Sequence, residues 1–276
     1  MTLIVRRAPA SAKLNLALVV GPRRADGKHE VATVLQRLDL GDRVALSPAP
    51  RLTVDGYPGD TLVRQALEEL AAAARVEPGW RAVITKRVPV AAGLGGGSSD
   101  AATALRLAND TLAEPLPPAG LHELAARLGA DVPFFLTSAP QLGRGDGSQL
   151  SPLELPQDYW VLLVLPHGVE KESTAAVYGR FDEKGGADGW EARREAFETA
   201  LAGLTRAREL GALPPNDLAS SPLAGELVRL GAFRADVTGA GPTVYGLFQH
   251  RRHAEAAQLV LRPAGRTWLT VPTWYG

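Results

Sequence analysis

The sequence has no cysteine among its 276 residues, which excludes disulfides, thiolate zinc sites and cysteine nucleophiles. It has no net charge either: 30 basic residues balance 30 acidic ones, so no basic surface predicts binding to nucleic acid or an anionic membrane. No apolar stretch approaches the roughly 20 residues that a membrane span needs. The first residues show no signal peptide, and we therefore expect a cytoplasmic protein that binds neither nucleic acid nor a membrane.

Several catalytic motifs are also missing. Neither HExxH nor GxSxG occurs, so zinc proteolysis and serine hydrolysis have no support. The five histidines lack metal-binding spacing, and we predict no metal site built from them. What remains is a composition with 45% hydrophobic and 22% charged residues, which is ordinary for a globular protein with a substantial core.

A glycine-rich segment is the most informative stretch of the chain. It reads Gly93-Leu94-Gly95-Gly96-Gly97-Ser98-Ser99-Asp100 and leads into residues 101–108, which have strong helix propensity. A loop that feeds a helix N-terminus presents unpaired N–H groups and partial positive charge, a combination that binds phosphate. In the alternative, the glycines only close a turn and Ser98 or Ser99 is the helix N-cap.

The same segment does not fit two common nucleotide sites. No Lys-Ser or Lys-Thr pair follows its last glycine, which excludes the P-loop of Walker-type NTPases. The strand candidate 81–85 is separated from the loop by residues 86–89, and no acid follows at the expected strand end, so a Rossmann site has little support.

Near the N-terminus, polar and apolar residues alternate over Ala10–Leu16. Ser11, Lys13 and Asn15 therefore share one face of a predicted strand. A lysine between two short polar residues favours a carboxylate or phosphate partner. The alternative is an edge strand with a solvated polar face.

Asp131 is the one acid in the apolar run 128–136. A buried carboxylate is costly unless it is paired, so Asp131 either caps a local segment or faces a cleft and meets a cation. Lys13 is the obvious candidate for that cation. A Lys–Asp pair beside a phosphate loop would suit phosphoryl transfer, with the acid orienting or deprotonating a hydroxyl.

Periodicity and turn residues predict an α+β protein with two domains, 1–155 and 156–276, divided within the Gly/Pro/Ser-rich stretch 137–156. We predict helices over 61–75, 120–128, 190–210 and 251–261, and strands over 7–20, 35–47, 159–165 and 267–271. Gly129 is expected to end its helix at the C′ position. The glycine-rich turn 237–243 is either a simple hairpin or part of the site.

Three segments, in this order, resemble the motifs of the GHMP kinase superfamily, which includes galactokinase, homoserine kinase and mevalonate kinase. They are residues 9–16, 89–102 and 237–246. The GLGGGSSD form, with residues 26–30 and 128–135, is similar to a branch that phosphorylates a cytidine diphosphate-linked methylerythritol for non-mevalonate isoprenoid synthesis. Another small-molecule kinase of the superfamily, such as homoserine kinase, and a non-catalytic nucleotide-binding module are the alternatives.

This resemblance implies a two-domain α+β GHMP kinase fold, with a ribosomal-protein-S5-like N-terminal domain and a ferredoxin-like C-terminal domain. It implies ATP as co-substrate, with Mg²⁺, and transfer to the 2-hydroxyl of the methylerythritol moiety. We expect a monomer or a weak homodimer.

Site residues follow from the same resemblance. It makes Asp131 the general base and Lys13 its partner. The expected ATP-binding residues are Pro89, Val90, Ala91, Ala92, Gly93, Leu94, Gly95, Gly96, Gly97, Ser98 and Ser99, and Ser99 is also the candidate Mg²⁺ ligand. The expected substrate-binding residues are Asn15, Lys28, His29, Tyr178, Thr174 and Gly239. His29 and Tyr178 would contact the cytosine, and because Lys28 stands where the family often has tyrosine, we expect stacking on one side only.

Overall fold

The computed structural model describes residues 4–59 and 61–273. The chain forms two compact units, each made of several segments. The first unit consists of Met1–Ala12, Leu40–Val90 and Gly95–Ser138, and the second of Lys13–Asp39, Ala91–Leu94 and Ala139–Gly276. Both contain helices and strands, so the α+β class is confirmed. The division into domains 1–155 and 156–276 stays a prediction.

The first unit contains both paired β-strands and α-helices. Strands β1 (Arg6–Arg23) and β2 (His29–Pro48) pair with each other, and each belongs to this unit over only part of its length. The last residues of β2 pair antiparallel with β4 (Trp80–Thr85), which pairs in parallel with β3 (Thr53–Asp55). Helix α1 (Leu62–Ala74) packs against both α2 (Gly96–Asn109) and α3 (Pro118–Leu128).

The local sequence explains these elements. Val63, Ala66, Leu67 and Leu70 of α1 are buried, and their spacing of three and four residues places them on one helix face. In β4 the buried residues alternate with more exposed ones, which gives the period of two that a half-buried strand requires.

The second unit contains an antiparallel sheet with the strand order β10-β7-β9-β8. Its strands are β7 (Trp160–Pro166), β8 (Arg234–Val237), β9 (Val244–Phe248) and β10 (Gly265–Thr270). Helices α6 (Pro222–Arg229) and α7 (Arg251–Leu261) bury Leu227, Ala254 and Leu261 against it. The unit also holds the hairpin β5 (Gln141–Arg144) and β6 (Gln149–Pro152), and helices α4 (Thr174–Glu183) and α5 (Trp190–Ala202).

Several expected elements are confirmed, including the helices over 61–75 and 251–261 and the strands near 159–165 and 267–271. The single helix over 190–210 is wrong, because α5 ends at Ala202 and a 3-10 helix begins at Ala207. The Glu209 carboxylate accepts hydrogen bonds from the backbone N–H groups of Thr205 and Arg206. These bonds cap a new helix and lower the pKa of Glu209.

The structure adds detail at two of the expected loops. Gly129 does end α3, but its φ of 165° is extended backbone, not the left-handed conformation usual for glycine at a helix end. The stretch 137–156 contains β5 and β6, because Gly145 and Gly147 adopt positive φ angles and form the hairpin turn. Within the described residues, no helix combines the length and apolarity needed to cross a membrane.

Candidate active site

Strand β1 carries two of the predicted site residues side by side. Lys13 and Asn15 are both buried, and the Lys13 Nζ atom donates to the Asn15 Oδ1 atom over 2.6 Å. The Asn15 side-chain nitrogen donates to the Thr33 hydroxyl over 2.8 Å. An edge strand with a solvated polar face is therefore wrong. A buried ammonium is costly unless polar partners surround it, and the Asn15 amide oxygen is one such partner.

The glycine-rich turn between β8 and β9 lies against the same two side chains. Gly239 has a φ of +57°, and a Cβ atom there would lie 3.3 Å from Asn15 Oδ1 and 3.6 Å from Lys13 Nζ. The buried Thr238 hydroxyl accepts from the Asn15 backbone N–H over 3.0 Å. The turn therefore lies beside these polar side chains, and its part in the site stays a prediction.

Residues 91–94 complete this cluster in the second unit. The Lys13 backbone N–H donates to the Leu94 carbonyl over 2.9 Å. Gly93 has a φ of +78°, and a Cβ atom there would approach the Gly241 carbonyl oxygen to 2.7 Å. Only glycine fits this position, since both the backbone angle and the close approach exclude a side chain.

In the first unit, helix α2 begins inside the glycine-rich segment, at Gly96. Its N-cap is Gly95, in the left-handed conformation, and no side chain caps the helix. The alternative with Ser98 or Ser99 as N-cap is therefore wrong. A helix start without a side-chain cap presents N–H groups, an arrangement that favours an anion. Gly97 is exposed, with no atom within 4 Å of the position of its Cβ.

A half-buried lysine with two buried carboxylates holds the beginning of α2. The Lys86 Nζ atom donates to Asp100 Oδ2 over 2.7 Å and to Asp42 Oδ2 over 2.5 Å. Asp42 also accepts from the Val88 backbone N–H over 2.8 Å. Burial alone would lower the pKa of Lys86, but the hydrogen bonds to Asp100 and Asp42 raise it. Lys86 therefore stays charged and connects the segment before the glycines to the helix after them.

Asp131 lies in the turn that joins α3 to a 3-10 helix, Pro133–Leu136. It is half-buried, whereas Phe134 and Phe135, which follow it in the chain, are fully buried. The Val132 N–H donates to the Gly129 carbonyl over 3.1 Å, which closes the turn through the backbone. Its pairing with Lys13 stays a prediction.

His29 and Tyr178 come together in the second unit, and their contact with one ligand stays a prediction. Their rings stack with centroids 4.8 Å apart and planes at 28°. The His29 Nε2 atom lies 2.7 Å from Asp182 Oδ1, and this hydrogen bond, with a second one from Arg23, lowers the pKa of Asp182. Asp182 thus forms a hydrogen bond with one ring nitrogen of the buried His29 and fixes the orientation of the ring.

Lys28 and Thr174 are both exposed. The Lys28 Nζ atom donates to Asp146 Oδ2 in the β5–β6 turn over 2.5 Å. Burial alone would raise the pKa of Asp146, but hydrogen bonds from Lys28 and Ser148 lower it to about 2. The structure therefore gives the Lys28 ammonium a partner within the protein.

The sequence-based interpretation missed polar residues in each unit: Lys86 in the first, and Thr33, Asp182 and Asn216 in the second. Thr33 interrupts an apolar run in β2, and that isolated hydroxyl is a signal that could have been noticed. Asn216 lies in a loop and Asp182 in the last turn of α4, and no pattern in the sequence marks either residue.

Comparison with known proteins gives the class. The model for the N-terminal domain of GHMP kinases matches residues 61–139, and the model for their C-terminal domain matches residues 193–266. Both describe kinases that use ATP as a substrate.

Individual relatives are more specific. A protein of Geobacter sulfurreducens is 36% identical over 94% of this chain and 95% of its own length. A protein of Pelotomaculum thermopropionicum is 41% identical, covering 88% of this chain and 89% of its own. Both are named 4-diphosphocytidyl-2-C-methyl-D-erythritol kinase. A crystal structure of a kinase with the equivalent name superposes with a TM-score of 0.80 at 30% identity, covering 98% of this chain and 100% of that one.

The chain belongs to the GHMP kinases and, among them, to the family of 4-diphosphocytidyl-2-C-methyl-D-erythritol kinases. The two-domain GHMP kinase fold implied by the sequence motifs is confirmed, as is the identity of the branch.

Proposed function

We propose that this chain transfers the γ-phosphoryl group of ATP to the 2-hydroxyl of 4-diphosphocytidyl-2-C-methyl-D-erythritol, a step in isoprenoid precursor synthesis. The observation that carries the proposal is the identity of 36–41% to kinases of that name over most of the chain. The buried Lys13–Asn15 pair beside Gly239 supports it, since a charged, polar and preorganised cluster suits transfer of an anionic group.

The ATP phosphates would lie against residues 93–99. The uncapped start of α2 and the exposed Gly97 support this placement, because N–H groups there could donate to phosphate oxygens. Mg²⁺ would be held by the phosphates, by water and by a protein hydroxyl. The Ser99 Oγ atom, buried in the first turn of α2 with no hydrogen-bond partner among the described residues, fits as the oxygen donor. When bound, the ion would neutralise charge on the phosphates.

In the transfer itself, Asp131 would accept the proton of the substrate hydroxyl while the hydroxyl oxygen bonds to the γ-phosphorus and ADP leaves. Lys13 would stabilise negative charge on the transferred group. Asn15 and Gly239 would help to place the substrate, and the Asn15–Thr33 hydrogen bond supports this role because it fixes the asparagine rotamer.

The test is a turnover assay with a panel of alcohols. We expect ADP release when ATP and 4-diphosphocytidyl-2-C-methyl-D-erythritol are both present, and mass spectrometry should find one added phosphate in the product. Release with homoserine or mevalonate instead would assign the chain to another substrate. ATP binding without ADP release for any alcohol would mean a non-catalytic nucleotide-binding module.

No macromolecular partner is part of the proposed reaction. The balanced charge supports a small-molecule substrate without nucleic acid or membrane. We propose a monomer or a weak homodimer, and sedimentation over a range of protein concentrations tests this directly.

Loss of the Tyr178 ring is expected to raise the KM for the cytidine substrate about tenfold, since base–aromatic stacking is worth roughly 1–3 kcal/mol. Tyr178 also packs against the apolar cluster of Leu18, Val20, Val31 and Phe181, so Tyr178→Leu is a better variant than Tyr178→Ala. Tyr178→Phe is the matched control and should keep the wild-type KM. An unchanged KM in Tyr178→Leu, with ATP affinity also unchanged, would place the cytosine elsewhere.

Lys28→Tyr tests the other side of the cytosine. A second aromatic face is expected to lower KM, whereas the loss of the exposed Lys28–Asp146 ion pair should change stability little. Asp146→Asn removes the same ion pair without adding a ring and is the control. A higher KM in Lys28→Tyr but not in Asp146→Asn would mean that Lys28 itself contacts the substrate.

A further inference from the structure

Asn216 uses every polar atom of its side chain within the second unit. Its Nδ2 atom donates to two carbonyl oxygens of the glycine-rich turn, those of Val237 at 2.9 Å and Gly239 at 2.7 Å. Its Oδ1 atom accepts from the Leu218 backbone N–H over 2.9 Å. These two carbonyls flank Thr238, and so one side chain holds the turn on both sides of that residue.

The next residue, Asp217, forms hydrogen bonds with the strand that carries Lys13 and Asn15. Its backbone N–H donates to the Leu18 carbonyl over 3.0 Å, and its Oδ2 atom accepts from the Val20 N–H over 2.8 Å. Leu18 and Val20 belong to β1, the strand that carries Lys13. Asn216 and Asp217 together therefore connect the turn to β1.

A buried network of hydrogen bonds holds the Asn216–Asp217 dipeptide in place. The Asn216 backbone N–H donates to Asp236 Oδ2 over 2.8 Å, and the Arg234 guanidinium lies 3.5 Å from the same oxygen. Arg234 also donates to the Tyr245 hydroxyl over 3.0 Å, and that hydroxyl donates to the Leu16 carbonyl of β1 over 3.0 Å. Burial raises the pKa of Asp236. All these contacts lie within one unit, so the dipeptide has little freedom to move.

We propose that Asn216 is a positioning residue for phosphoryl transfer, which holds the 237–243 turn against Lys13 and Asn15. The proposal rests on the function proposed above. Its physical basis is the close approach of the turn to its neighbours. A Cβ atom at Gly239 would lie 3.3 Å from Asn15 Oδ1 and 3.6 Å from Lys13 Nζ. A Cβ atom at Gly93 would lie 2.7 Å from the Gly241 carbonyl oxygen and 3.0 Å from that of Thr238. A turn that moved would displace the charged side chain and the 91–94 segment together.

Asn216→Asp is the sharpest test, because it is isosteric and replaces the donor with an oxygen that faces two carbonyl oxygens. We expect kcat to fall about 10²-fold, the scale of a misplacement of about 1 Å, with a smaller change in KM. Repulsion from the carbonyls should raise the pKa of the introduced carboxyl. Once protonated, that carboxyl can donate to one carbonyl again. The kcat ratio of variant to wild type should therefore rise as the pH is lowered.

Asn109→Asp is the matched control. Asn109 is also buried, and its side-chain amide also bonds the backbone, donating to the Leu116 carbonyl over 3.1 Å and accepting from the Leu116 N–H over 2.8 Å. It lies at the end of α2 and makes these bonds within the first unit. We expect a similar loss of thermal stability in both variants, but wild-type kcat per folded molecule only in Asn109→Asp.

Amide hydrogen exchange separates this proposal from the proposed function. In Asn216→Asp, amides of residues 238–241 should exchange faster than in the wild type, whether or not the wild type turns over the cytidine substrate. An inactive wild type with this faster exchange would refute the function and leave the positioning of the turn supported. If Asn216→Asp does not fold, Asn216→Ala removes the donor without repulsion and should show the same fall in kcat without the pH-dependent recovery. Unchanged exchange, or kcat equal to that of Asn109→Asp, would overturn the proposal.

Discussion

Asp131→Asn is expected to lower kcat by about 10²-fold or more, the usual scale for loss of a general base. Asparagine has the shape of aspartate but cannot accept the proton of the substrate hydroxyl. Asp131 is half-buried in a turn that the Val132–Gly129 backbone hydrogen bond closes, so the exchange should leave the local fold intact. Steady-state kinetics with the cytidine substrate measures kcat, and calorimetry should find ATP affinity unchanged.

Asp110→Asn is the control for this variant. Asp110 is an exposed carboxylate at the C-cap of α2 in the same unit, and its replacement changes the charge of that unit equally. It should leave kcat at the wild-type value. Turnover near normal in a correctly folded Asp131→Asn protein would remove Asp131 from the role of base and leave electrostatic stabilisation as the main contribution to catalysis.

How far the sequence predicts this molecule depends on the range of the interaction that decides each feature. Helix α1 and the lysine face of β1 follow from periodicity within a few residues, and both were predicted. The break after Ala202 was missed, because the bonds from Thr205 and Arg206 to Glu209 start a new helix where the propensity of the segment favours continuing the old one.

The site shows the same limit. Lys13, Asn15 and Gly239 could be named from local motifs, and the structure brings them together. Asn216 could not, since its partners Val237 and Gly239 are joined to it only through the fold of the C-terminal half of the chain. A loop asparagine has no periodicity, and the positioning role proposed for Asn216 rests on contacts that only the structure shows.

Structural detail also changes which glycine best tests the phosphate loop. From the sequence alone, Gly96 is central to the run of glycines. A Cβ atom at Gly96 would lie 3.1 Å from the Val88 side chain and 3.3 Å from Lys86 Nζ, so a larger residue would disturb the protein itself. At Gly97 no atom lies within 4 Å of the Cβ position, and the space beside it is open.

Gly97→Val is therefore expected to weaken ATP binding by about 1–3 kcal/mol, the cost of losing hydrogen bonds to a charged group, without loss of stability beyond that of a helix substitution. The branched side chain would stand between the first-turn N–H groups of α2 and the phosphates. Gly225→Val in α6 is the matched control, because that helical glycine also has nothing near its Cβ position and lies far along the chain from the loop. Calorimetry with ATP should distinguish the two variants. Equal, wild-type affinity in both would mean that the glycines serve the packing of the segment and that the phosphates bind elsewhere.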